Sequence, residues 1–256
     1  MLYSRVIPCL LIKNGGLVKT VEFDQPKYVG DPINAVKIFN EKEVDELIVL
    51  DIDASVHGRE PDYNLIKKLA AECRMPLCYG GGVKSVDQFK KIISLGVEKV
   101  AISSAAVDEP EIIEKAAEIV GSQSVVVVLD VKKRRFGSKY GLFTHNGTKS
   151  TDYLATQFAR MAESLGAGEV VINSIDNDGA MNGYDNKLIE QVRSVISVPI
   201  TAIGGAGSLG DIRELVERFG VIGAAAGSLF VFKGKYRAVL ISYPSRVDKD
   251  ALVGSV

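Results

Sequence analysis

Apolar and polar positions along this chain fall into blocks of two kinds. Short β-rich apolar runs occupy 5–11, 47–52, 76–79, 98–102, 124–130, 169–174, 198–203 and 221–226. Between them, stretches at 32–44, 62–73, 85–95, 109–120, 152–165, 185–196 and 208–219 place apolar residues at helical spacing among polar ones. Asp31, Ser85, Thr151 and Ser208 stand where helix N-caps belong, and Gly96, Gly121, Gly166 and Gly220 where helices should stop. Strands alternating with amphipathic helices predict right-handed βαβ units on a parallel sheet, and eight such units close into a (β/α)8, or TIM, barrel. The pattern frays after the eighth run, where 230–243 lacks the helical spacing of its counterparts. The prediction is one α/β barrel domain over 1–256, with an atypical C-terminal segment at 233–256.

A second, longer period lies over the first. Gly80-Gly81-Gly82 follows the third run and Gly204-Gly205-Ala206-Gly207 the seventh, at an offset of 124 between Gly80 and Gly204. Ser104 and Ser228 repeat at 124, and Asp53 and Asp178 at 125. These offsets predict two half-barrels of four βα units, about 1–120 and 121–232. Under the same repeat Leu11, at the end of the first run, falls opposite Asp130 at the end of the fifth.

Glycines at the carboxyl ends of strands let backbone approach a ligand, and the N–H groups of a following helical turn suit an anion. Gly81 and Gly82 with Ser103 and Ser104, and Gly204 and Gly205 with Gly227 and Ser228, form two candidate phosphate cradles. Two cradles related by the repeat suit a ligand phosphorylated at both ends. A tight βα turn is the plainer account of a single glycine cluster.

With 256 residues, 46% of them hydrophobic, the chain can bury a large core. Its formal net charge of −1 supplies no global positive field for nucleic acid or an anionic membrane, so a small molecule or a protein partner is favoured. Cys9, Cys73 and Cys78 are odd in number and without metal-type spacing, which suits buried thiols in a reducing compartment. The first apolar run is broken by Pro8 and too short for a membrane span, and a cytoplasmic location is expected. His57 and His145 have no companion at ligand spacing, so no metal and no cofactor is expected. Lys132-Lys133-Arg134-Arg135 with Phe136-Gly137 suits a solvated hairpin tip or, alternatively, a contact for an anion or an acidic partner.

Ile7-Pro8-Cys9, Gly30-Asp31-Pro32, Leu50-Asp51-Ile52, Gly80-Gly81-Gly82, Ser174-Ile175-Asp176, Asp178-Gly179, Gly183-Tyr184-Asp185 and Gly204-Gly205-Ala206-Gly207 together resemble the cyclase subunit of imidazole glycerol phosphate synthase. The resemblance covers about 1–232. It implies a glutaminase subunit docked at the N-terminal face of the barrel, ammonia passing up the interior, and a bisphosphate bound at the opposite face. It also implies two catalytic aspartates at positions 11 and 130. Asp130 is present, and Leu11 replaces the other. Leucine carries no proton to give or take, so acid–base chemistry that needs two carboxyls loses one of them, a group worth about 10²–10⁴-fold. The resemblance further implies substrate contacts at Lys19, Asp51, Asn173, Asp178 and Gly179. Ser103 stands in place of the family's asparagine and Asn173 in place of its threonine. Arg5, Glu46, Lys99 and Glu169 fall on the family's ammonia gate, while a salt-bridge plug is the alternative account of those four.

Cys9 to Thr20, Pro26 to Ala35 and Phe39 to Asp45 are similar to a branch of that family linked to surface-polysaccharide genes. That branch implies a glutaminase partner and delivery of ammonia to an N-acetyl sugar amidotransferase that makes acetamidino sugars. Tyr79, directly before the first glycine cluster, is expected to narrow that cradle. The alternatives are a working cyclase of histidine biosynthesis that tolerates Leu11, and a non-catalytic barrel that regulates a glutaminase.

Overall fold

The computed structural model describes residues 3–134 and 139–253. Arg135, Phe136 and Gly137 of the basic run lie outside the described residues. Eight parallel strands form the barrel: β1 (Arg5–Lys13), β2 (Leu47–Asp51), β3 (Leu77–Gly80), β4 (Lys99–Ile102), β5 (Val125–Lys133), β6 (Glu169–Ser174), β7 (Ile200–Ile203) and β8 (Gly223–Ala226). Each hydrogen-bonds its successor; β8 pairs with β1 and β5 with β6, so the ring of eight strands is closed. Closure of this kind meets the eight-unit expectation.

Two populations of side chains follow from strand alternation. Odd positions of β1 point into the lumen, where Ile7 and Cys9 meet Ile48, Cys78, Ala101, Val126, Val128, Val171 and Ala225. The other set, including Leu10, Val49, Tyr79 and Val127, packs against the surrounding helices in the larger core. Tyr79 therefore points away from the mouth, and at 1% exposure it is a core residue that does not narrow the cradle. Its neighbours Cys78 and Gly80 take the inward positions.

Caps explain where most helices begin. Asp31 accepts from the Asn34 amide ahead of helix Pro32–Glu41, and Asp62 from the Leu65 amide ahead of Tyr63–Glu72. Ser85 and Ser208 close capping boxes with Gln88 and Asp211. Thr151 is not a cap: it lies in strand Lys149–Leu154, and helix Ala155–Ser164 starts four residues later, where the Gln157 side chain accepts from the Leu154 amide.

β1 and β5 are nine residues each because both run past the barrel rim into hairpins; the sequence pattern did not reveal the first, whereas the second pairs Lys133 with Tyr140, in keeping with the hairpin-tip reading of the basic run. Gly16–Val21 and Asp24–Gly30 follow β1, and Tyr140–Thr144 and Lys149–Leu154 follow β5. Parallel bonds hold both extensions: the Asn14 amide donates to Asp53 at 2.8 Å, and the Lys133 amide to Asp176 at 2.9 Å. Asp53 thus corresponds to Asp176 rather than to Asp178. The glycine clusters also shift by one, because Gly81 and Gly204 (φ +119° and +93°) share the left-handed backbone that follows the strand, whereas Gly80 is the last residue of β3.

The C-terminal segment takes the eighth outer position. A short antiparallel pair, Phe232–Lys233 with Ala238–Val239, precedes helix Arg246–Val253, which packs on helix Leu209–Phe219. Tyr243 donates its hydroxyl to the Val6 carbonyl at 2.8 Å, and Lys249 reaches Asp45 at 2.5 Å, so the segment is tied across the start of β1. Among the described residues, no helix is long and apolar enough to cross a membrane.

Candidate functional site at the two ends of the barrel lumen

At the carboxyl ends of the strands a pocket opens over the lumen, lined by Leu11, Lys19, Asp51, Gly81, Gly82, Ser103, Ser104, Asp130, Asn173, Asp178, Gly179, Gly204, Gly205, Gly227 and Ser228. Every mouth residue singled out from the sequence is therefore gathered there. Asp130 stands at its centre. Ser103 Oγ donates to one of its carboxylate oxygens and Asn173 Nδ2 to the other, each at 2.9 Å. Burial raises its pKa to about 6; the two hydrogen bonds oppose that rise, and the nearby Asp178 charge adds to it.

Leu11 faces the same space from β1. With Leu50 and Ile203 it packs on the top of the apolar lumen cluster. Ser103 and Asn173 make the surroundings of Asp130 polar, whereas Leu11 meets Leu50 and Ile203. Asp130 can exchange a proton with a ligand at the mouth, and Leu11 cannot.

Among the described residues, Lys19 is the one cation lining this pocket. It is buried, its Nζ donates to the Cys9 carbonyl at 2.6 Å, and burial lowers its pKa against the opposing pull of Asp178. A Cβ on Gly227 would sit 2.5 Å from Lys19 Nζ, so the glycine at the second cradle leaves room for the ammonium group. Gly81 is required for a similar reason: besides its positive φ, a Cβ there would lie 2.4 Å from the Asp51 carbonyl.

The remaining carboxylates hold backbone. Asp51 accepts from the Asp53 and Ala54 amides at 3.0 and 3.1 Å, and burial raises its pKa. Asp178 accepts from Thr20 Oγ1 at 2.6 Å and from the Phe23 amide at 3.1 Å, which fixes the tip of the first hairpin; burial raises its pKa as well. Ser104 Oγ accepts from the His145 amide at 3.1 Å, and Asn146 Nδ2 donates to the Ile52 carbonyl at 2.8 Å, which brings the second hairpin over the rim. Thr20, Phe23, Ser55 and Asn146 line the pocket without having been singled out from the sequence. Three of them arrive on the hairpins, and no local motif marks them.

At the amino ends of the strands the lumen is closed by charge. Arg5 pairs with Glu46 and, at 2.7 Å, with Glu169; Lys99 reaches Glu46 and Glu169 at 2.8 Å each. Glu46 and Glu169 are buried, at 3% and 5% exposure. Burial drives the Glu169 carboxyl up, but Arg5 and Lys99 outweigh it, and the net pKa lies below the ordinary carboxylate range. Thr201 Oγ1 also donates to Glu169 and is a fifth member of the ring that the sequence did not flag. Above the ring the lumen is apolar, and burial pushes the thiols of Cys9 and Cys78 up, that of Cys9 to about 11.

A closed parallel barrel with a sealed ion ring at one end of its lumen and a glycine-lined acidic pocket at the other defines the structural class. The chain belongs to the histidine biosynthesis protein family, whose model matches residues 5–237, and within it to the HisF group. It is 60% identical over 249 residues to a Vibrio vulnificus protein provisionally named imidazole glycerol phosphate synthase subunit hisF3, covering 97% of this chain and 96% of that one. It is 55% identical over 244 residues to a Pseudomonas aeruginosa protein provisionally named as subunit hisF2, covering 95% and 97%. The imidazole glycerol phosphate synthase subunit HisF of Lactococcus lactis subsp. cremoris is 39% identical over 259 residues, covering 99% and 100%.

Proposed function

We propose that this HisF-like chain is an ammonia-conducting subunit. A cytoplasmic glutaminase docks at the N-terminal face, ammonia passes the Arg5, Glu46, Lys99 and Glu169 ring, and the lumen delivers it to an N-acetyl sugar amidotransferase that makes acetamidino sugars. The chain's own cyclase activity is weak or lost. One observation carries this reading: Leu11 faces the mouth where a second proton-transfer group would be needed, while the ring at the other end is complete. An apolar lumen suits neutral ammonia and strongly disfavours ammonium, which would have to shed its water. The higher identity to the hisF2- and hisF3-named relatives than to the Lactococcus HisF fits a numbered paralogue of the cyclase subunit. The two glycine cradles, with Lys19 beside the second, are proposed to hold phosphate groups of a small ligand. The half-barrels at about 1–120 and 121–232 are proposed to be copies of one unit, supported by the matched Asn14–Asp53 and Lys133–Asp176 bonds.

The test has two stages. The purified chain, offered the bisphosphate precursor and an ammonium salt without partners, should show little or no cyclisation. With glutaminase and amidotransferase added, Lys99→Ala should alter glutamine-dependent amidation, whereas Asp130→Asn should leave it largely intact. Robust ammonia-dependent cyclisation by the unmodified chain would restore a histidine-pathway cyclase. Stimulation of the glutaminase with no amidated product would favour a regulatory barrel instead.

A further inference from the structure

Beside the mouth, and separate from it, lies a shallow groove. Its floor is formed by Met181, Leu229 and Phe232, and its rim by Lys233, Lys235 and Arg237. Lys27, from the first hairpin, stands 5.2 Å over the Phe232 ring, and the Arg237 guanidinium lies 5.8 Å from the same ring. Arg237 donates to the Gly179 carbonyl at 2.7 Å, which fixes this corner to the loop that carries Asp178. Among the described residues, none of these four cations has a carboxylate within ion-pair distance. Tyr236, between Lys235 and Arg237, is 90% exposed, and Leu240, just past the returning strand, is 52% exposed.

We infer that this groove is the docking surface for an acidic segment of the protein that receives ammonia at the lumen exit. The inference rests on the conducting role proposed above and names where its acceptor sits. Four unpaired cations around an apolar, aromatic floor are complementary to a polypeptide that presents carboxylates around one apolar anchor. Tyrosine and arginine, here the exposed Tyr236 and the half-buried Arg237, are enriched among the residues that anchor protein interfaces. Met181 and Gly207 bring the groove beside the loops after β6 and β7, so a partner seated there stands next to the second glycine cradle without filling the pocket. A flat anionic membrane fits less well, because the Phe232 floor is recessed, at 8% exposure.

The experiment measures binding of the purified N-acetyl sugar amidotransferase of the same organism to the full-length chain in complex with its glutaminase. Lys233→Glu with Lys235→Glu should raise the dissociation constant at least tenfold. Tyr236→Ala, at a side chain too exposed to support the fold, should raise it severalfold. Wild-type binding should weaken as salt increases, and glutaminase stimulation should be unchanged in both variants. Tight amidotransferase binding that neither variant weakens would overturn the groove while leaving the conducting role standing. No binding by the unmodified complex would overturn both. Charge reversal that abolishes binding to phosphatidylglycerol vesicles but spares the amidotransferase would reassign the groove to a lipid surface.

Discussion

The two ends of the lumen handle buried charge in opposite ways. At the bottom, two cations and two carboxylates face each other, each carboxylate is reached by both cations, and Thr201 supplies a further donor. At the top, Asp51, Asp130 and Asp178 line a pocket that holds one cation among the described residues, Lys19, which has turned its ammonium group to the Cys9 carbonyl. Charge closed on itself in this way is compatible with a plug or a gate and leaves nothing over to hold a ligand. Burial that hydrogen bonds and cations do not fully offset raises the pKa of these carboxyls and marks a place where something else can complete the balance. The contrast locates candidate chemistry at the top and candidate control at the bottom.

Breaking the bottom should have the largest effect. Glu169→Ala leaves Arg5 and Lys99 sharing Glu46 and strips Thr201 of its acceptor. Removing one member of a buried ion network costs about 3–5 kcal/mol, and the loss should appear as a lower midpoint in urea with an unchanged slope. An effect under about 1 kcal/mol would show that the ring is solvated and would remove the contrast between the ends. At the top, Leu11→Asp puts a carboxyl where the family's second catalytic aspartate is implied. The apolar burial given up by the half-buried Leu11 is worth roughly 1–2 kcal/mol, and stability at neutral pH should fall by at least that amount. The same variant sharpens the comparison functionally: if the two cradles still accept the bisphosphate, a trace of ammonia-dependent cyclisation should appear where the unmodified chain has none.

The barrel was legible because eight apolar runs and the caps at Asp31, Ser85 and Ser208 follow simple periods. The first hairpin was not, since segment 16–30 alternates weakly and is half exposed; of the second only the basic tip was legible, because the amphipathic stretch from 152 absorbed a strand that ends at Leu154. Thr151 looked like a cap because a hydroxyl before a helical pattern is ambiguous without its hydrogen bond; here it donates to the Leu142 carbonyl across the hairpin. Tyr79 was misplaced for a correctable reason. Alternation along β3 puts Cys78 and Gly80 inward and leaves residue 79 to the helices. The mouth and ring residues were reached through repeat and resemblance, whereas Thr201 and Asn146 depend on neighbours distant in sequence, Glu169 and Ile52, that no local pattern announces.

The remaining expected effect separates the two ends most cleanly, because its sign is opposite. Asp130→Asn keeps a side chain of the same shape between Ser103 and Asn173 and removes the carboxyl charge. The folded pKa of Asp130, about 6, lies above the ordinary 3.8, so ionisation opposes folding. That opposition is absent while the carboxyl is protonated in both states, grows as pH rises between the two values, and is complete above the folded one. The variant should therefore be more stable than the unmodified chain near pH 8, by up to about 3 kcal/mol for a rise of about 2.2 pKa units at 1.36 kcal/mol each. The gain should shrink steadily as pH falls through 6 and vanish below about pH 4. Urea unfolding of both proteins across that range measures it. The opposite trend, a variant less stable at pH 8 than at pH 4 relative to the unmodified chain, would mean that Asp130 has a cationic partner after all, and that the top of the lumen is as closed on itself as the bottom.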